Sequence, residues 1–149
     1  MEERRESALS GVGPRVVTIG ALVASAVVHG ALVFQHTDEP RLAGAFGAAA
    51  VAAAAAAFAL TRVGLSFVPL ASAALLVGLL LAYPLYYVAT GEPVDRLGIA
   101  TKAIEVVGLL AALRARDDRD ASLAPVAVIV GVLLAFLLYS VAGGSQHHH

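Results

Sequence analysis

Cysteine and tryptophan are absent from this 149-residue chain, methionine occurs once, and charged residues make up only 14% of it. Without cysteine there is no disulfide, iron–sulfur cluster or thiolate zinc site, and the redox compartment is left open. The scarcity of charge excludes more. A soluble domain is roughly 25% charged and about 45–50% apolar, whereas this chain is 59% hydrophobic with a mean hydropathy of +0.82. It lacks the residues to make a polar surface. A net charge of −1 and the lack of a basic stripe with interleaved aromatics argue against a nucleic-acid partner. Gly-rich phosphate loops, HExxH and GxSxG are also missing. Ser25, Ser66 and Ser72 have no base near them in sequence, so no enzymatic activity is expected.

What the chain does have is long apolar runs, with almost every charge lying between them. Five are long enough to be read as membrane spans, at about 20 residues per crossing: Val16 to Phe34, Leu42 to Leu60, Val63 to Ala89, Leu97 to Leu113 and Ala121 to Ala142. The fourth is the shortest and holds Lys102 and Glu105. If it does not cross, four spans remain. Strands of a membrane barrel would alternate polar and apolar residues over about ten positions, and nothing here does. The expectation is an all-α, polytopic membrane helical bundle, with residues 1–15 as an N-terminal segment, 16–142 as the bundle and 143–149 as a tail. The loops are too short to hold a second folded domain.

Lys and Arg in the loops set the orientation. With five spans, Arg4, Arg5, Arg15, Arg62, Arg114, Arg116 and Arg119 share the N-terminal side, against Arg41, Arg96 and Lys102 opposite. That majority predicts a multi-pass protein of the cell membrane, with the N-terminus cytoplasmic and the C-terminus outside. Without the fourth crossing, Arg4, Arg5, Arg15 and Arg62 face the other six and the orientation reverses. Arg4-Arg5 and Ala24-Ser25-Ala26 resemble the start and cleavage site of a signal peptide, but the apolar run continues to Phe34, so the first span is expected to be retained. The ending Gly143-Gly144-Ser145-Gln146-His147-His148-His149 reads as a linker and tag.

The second span is alanine from Ala48 to Ala57 apart from Val51, preceded by Gly44 and Gly47. Alanine makes a thin helix that neighbours can approach closely, and it offers lipid little apolar area beside the Leu-rich third and fifth spans. A central position is expected for it.

Ionisable groups inside a span are costly and usually have a purpose. Counted from the outer ends of their spans, His29 falls ~8 Å deep, Tyr83 ~9 Å and Glu105 ~13 Å, with Lys102 one turn above Glu105. Lys102 and Glu105 are three apart and share a helix face. His29, Tyr83, Lys102 and Glu105 therefore form a candidate intramembrane polar cluster, with Pro84 beside Tyr83 depriving a carbonyl of its amide partner. Such a cluster can fix helix register or carry chemistry. Tyr86, Tyr87 and Tyr139 fit an interfacial aromatic belt. A weaker set lies in the outer loops: His36, Asp38 and Glu39 in one, Glu92 and Asp95 in the next. One imidazole with carboxylates is a loose description of a divalent-metal site. Haem is not expected, because His29 is the one histidine within a span, and no cofactor is assigned.

The run Gly98-Ile99-Ala100-Thr101-Lys102-Ala103-Ile104-Glu105-Val106-Val107 follows a Tyr-rich third span and Gly91-Glu92-Pro93. It resembles the last helix of a group of small uncharacterised prokaryotic multi-span membrane proteins, which pair a K-x-I-E helix with a first-span histidine, here His29. The resemblance covers Val16 to about Leu113. The chain departs from the group in its fifth span and in lacking Asn-Gly in its second. The resemblance implies no activity, but it links His29, Lys102 and Glu105 as one unit.

Two functions are expected to compete. One is a small accessory or structural subunit that packs in a larger membrane complex or a homo-oligomer, with the lipid bilayer as its constant partner. The other is a small proton-linked transporter, or a quinone- or lipid-binding protein, built on the His/Lys/Glu cluster. No pair of spans resembles another in inverted order, which weighs against the transporter.

Overall fold

The computed structural model describes residues 13–62, 67–90, 96–115 and 129–133. Four long helices account for most of them: α1 (Pro14–Gln35), α2 (Pro40–Arg62), α3 (Phe67–Thr90) and α4 (Arg96–Arg114). Residues 129–133, within the fifth apolar segment, are also helical, and no strand occurs among the described residues. The all-α reading therefore stands. Three of these helices, α1, α2 and α3 as far as Val88, are long and apolar enough to cross a membrane, which points to a membrane-inserted protein.

The helix boundaries have local causes. Pro14 and Pro40 open α1 and α2, where the missing N–H is an orphan in any case and the fixed φ suits a first turn. The chain turns between them through His36–Glu39, closed by a hydrogen bond from the Glu39 N–H to the His36 carbonyl at 3.0 Å. α3 continues through Pro84. At the other end of the hairpin, the Arg15 guanidinium donates to the Leu60 carbonyl, through Nε at 2.7 Å and also through Nη2. It thereby satisfies one of the last carbonyls of α2 and places positive charge at the negative end of that helix.

The helices form a ring in which α1 touches α2 and α4, and α3 touches α2 and α4. Leu22, Ala53, Ala57, Leu60, Val68 and Leu76 make its apolar centre, with contributions from α1, α2 and α3. Buried positions on α2 are Leu42, Ala49, Ala53, Ala57 and Leu60, a stripe at three-, four- and seven-residue spacing.

The expected centrality of the alanine-rich helix is not what the fold shows. Only 22% of the apolar window of α2 is buried, against 44% for Leu-rich α3. Val51 and Phe58 are 70% and 63% exposed on its outer face. The physical reason is that lipid chains are as apolar as leucine, so a leucine-rich helix has no preference for the lipid side. Residues 129–133 approach α3 closely: a Cβ at Gly131 would lie 2.7 Å from the Ala74 carbonyl oxygen and from Val77 Cβ.

Candidate functional site

One face of α1 carries Thr18, Ala21, Ser25 and His29, all buried and spaced by three or four residues. The facing stripe of α4 is Thr101, Glu105, Gly108, Ala111 and Ala112. The two run antiparallel, since the Thr18 hydroxyl lies 3.5 Å from the Gly108 carbonyl while Ser25 meets Glu105 further along. Their close approach depends on Gly108. A Cβ there would sit 2.5 Å from Ala21 Cβ, a distance real atoms do not reach.

That proximity lets short side chains bridge two helices. Ser25 Oγ donates to Glu105 Oε1 at 2.8 Å, and Lys102 Nζ donates to Glu105 Oε2 at 2.7 Å. Glu105 is wholly buried, so each of its oxygens takes a donor from within the bundle. Lys102, with 16% of its side chain exposed, also donates to the Leu79 carbonyl of α3 at 3.0 Å. Its ammonium lies 5.3 Å from the centre of the Tyr83 ring, within cation–π range. The carboxylate thus ties α4 to α1 through Ser25, and the ammonium ties it to α3.

His29 adds the outer end of the chain of contacts. Its Nδ1 is 2.8 Å from the Ser25 carbonyl and 3.3 Å from Ser25 Oγ. A carbonyl only accepts, so Nδ1 carries a proton and donates to it. The same logic applies to His36, whose Nδ1 lies 3.0 Å from the Leu32 carbonyl. Both imidazoles pack against Phe46, with ring centres 6.1 and 5.1 Å away. The Tyr83 hydroxyl donates to that of Tyr87 at 3.0 Å, and Tyr86 packs edge-on against Tyr87.

The four candidates His29, Tyr83, Lys102 and Glu105 are therefore brought together. Ser25, which lies between His29 and Glu105, was set aside at the sequence level because no base is near it in sequence. Its spacing of four from His29 was the available signal. The Leu79 carbonyl could only have been suspected from Pro84, which supplies no N–H to the adjacent Leu80 carbonyl one turn back. The outer-loop set is not assembled to the same degree. His36 is turned back onto its own helix, Asp38 and Glu39 are exposed, and Glu92 and Asp95 lie outside the described residues. Among the described residues no group of three His, Asp or Glu could hold a metal ion. Tyr139 and the terminal histidines are likewise outside the described residues.

Fold and site together define a helical bundle with three helices apolar enough for a membrane and a buried ion pair on a fourth. The chain matches no family model, no curated protein and no solved structure. The likeness of its K-x-I-E helix to other small membrane proteins consequently rests on the motif residues alone.

Proposed function

We propose that this chain is a small structural or accessory subunit that crosses the membrane five times and packs against a larger membrane complex or against further copies of itself. No catalytic role is part of this reading. The observation that carries it is the closed set of partners around Glu105: Ser25 and Lys102 occupy both oxygens, and Lys102 passes the connection on to Leu79. In lipid, where apolar packing discriminates poorly between a helix and its surroundings, interhelical polar contacts of this kind fix register.

Membrane insertion of α4 is supported by its inside-out pattern. Its charges at Lys102 and Glu105 turn inward, while Leu97, Ile99, Ile104, Val106, Val107 and Leu110 are 40–56% exposed. Nineteen residues span ~28 Å as a helix, close to the thickness of a hydrocarbon core. Arg15, Arg62 and Arg114 stand at the start of α1 and the ends of α2 and α4, which in an alternating bundle share one side. This supports a cytoplasmic N-terminus and an outer C-terminus. Association has a surface available to it: an open groove of about 600 Å³ between α1 and α2, lined by Val23, Ala26, Val27, Ala50, Ala54 and Phe58 among others.

The test is the mass of the purified full chain in mild detergent, with and without Ala54→Phe in the groove. A defined oligomer or stoichiometric complex that Ala54→Phe weakens is expected. A lone monomer that co-purifies with nothing contradicts the proposal.

One observation favours the competing reading of a proton-linked carrier or ligand-binding protein. Among the described residues His29 Nε2 has no hydrogen-bond partner, and it sits at the end of a continuous His29–Ser25–Glu105–Lys102 chain. A pH-driven flux in proteoliposomes that Glu105→Gln abolishes without unfolding the protein would establish that reading instead.

A further inference from the structure

We propose that Glu105 Oε2, the Leu79 carbonyl and the face of Tyr83 form a binding site for a small ammonium-type monovalent cation, and that Lys102 fills this site as a tethered occupant. Lys102 Nζ stands 2.7 Å from the carboxylate oxygen, 3.0 Å from the carbonyl oxygen and 5.3 Å from the ring centre. These are the three kinds of group that recognise an ammonium ion: an anion, a neutral acceptor and a negative π-face.

The ligand class follows from the geometry. Lys102 Nζ is held at N–H···O distances from both oxygens, so an ammonium placed where it lies keeps both bonds. A single carboxylate balances a single charge. An aromatic wall favours a cation that sheds water easily, which a hard divalent ion does not.

The acceptors are also positioned without help from Lys102. Ser25 of α1 holds the other oxygen of Glu105, at 2.8 Å. Leu79 is fixed by the backbone of α3, 2% exposed in the apolar interior. It adjoins Leu80, whose carbonyl receives no amide from Pro84. Lys102 is the mobile part: its head sits on a flexible stem and is the one partly exposed member of the pair, at 16% against 0% for Glu105. Its tether gives it a high effective concentration at the site, so a free ion competes poorly in the unaltered chain. Removing the ammonium leaves an anionic cradle of matching size.

The experiment uses the full chain carrying Lys102→Ala, purified in detergent with lithium chloride as the ionic-strength control, because that small, strongly hydrated ion has no N–H to donate and gains little from an aromatic face. Melting temperature is followed while ammonium, methylammonium, sodium or magnesium chloride replaces lithium chloride. Ammonium and methylammonium are expected to raise it by several degrees with saturation, sodium less, and magnesium not at all. The Lys102→Ala/Glu105→Gln double variant is expected to show no such rise. Equal melting temperatures in all monovalent salts, or the same response in the double variant, overturn the assignment. Where Lys102→Ala cannot be extracted folded, Lys102→Met keeps the packing of the stem, and the readout becomes recovery of folded protein with ammonium present. Failure of ammonium to restore either variant also overturns the proposal.

Discussion

α1 makes two kinds of interface, and they hold the bundle in different ways. Toward α2 it offers Ile19, Leu22 and Ala26 to the stripe of Ala53, Ala57 and Leu60. Toward α4 it offers Thr18 and Ser25 to Gly108 and Glu105. Between Arg15 on the Leu60 carbonyl at one end and His29 against Phe46 at the other, the first interface is apolar contact, for which lipid tails can compete almost on equal terms. The second has acceptors and donors at fixed heights along the helices, so sliding by one turn would leave Glu105 buried without Ser25. Inside the bundle, register accordingly lives on the α4 side of α1, where Gly108 also lets the two helices approach closely, and the α2 side supplies apolar contact.

The sharpest way to break that contrast is to leave the carboxylate alone in the interior. Lys102→Ala should cost about 3–5 kcal/mol, the range for an uncompensated buried charge. Replacing both groups together, as Lys102→Met with Glu105→Gln, should cost clearly less. Denaturant unfolding in detergent micelles reads both, and a double variant as unstable as the single one would contradict the ion-pair account.

Next in size is Gly108→Ala. The added methyl would overlap Ala21 Cβ, and overpacking of this kind costs about 1–3 kcal/mol. Ala21→Gly in the same chain should recover most of the loss, since it reopens that one contact. No recovery would mean that the helices do not cross there.

Ser25→Ala removes a hydroxyl from a charged acceptor, which should cost about 1–2 kcal/mol, between the soluble and the membrane averages for such bonds. Its counterpart on the alanine interface is smaller still at the surface. Ala54→Leu, on the open face of α2, should leave the unfolding of the single chain nearly unchanged, while Ala53→Leu, wholly buried, should destabilise it by about 1–3 kcal/mol. If the two alanines respond alike, the face assigned to α2 is wrong.

The sequence carried the helices well because lipid imposes length: each of the four long helices falls within a few residues of its apolar run, and α1, α2 and α4 are extended by the prolines and arginines at their ends. The polar cluster was legible for a related reason. A Lys and a Glu in an apolar run must turn inward, and His29 and Tyr83 were the groups at matching depth. Ser25 was not legible, since its role depends on which helix lies opposite, and that is decided by Gly108 and Ala21. Nor was the open face of α2. Ten nearly identical residues give no inside and outside, and leucine in a membrane reads the same on either side.

The most direct test of the account is a double-mutant cycle between Ser25→Ala and Glu105→Ala, measured by unfolding in lipid–detergent bicelles. The account predicts a coupling of roughly 0.5–2 kcal/mol, as for polar groups in direct contact within one network. Additive losses, with no coupling beyond measurement error, would contradict the claim that this hydrogen bond sets the register of α1 against α4.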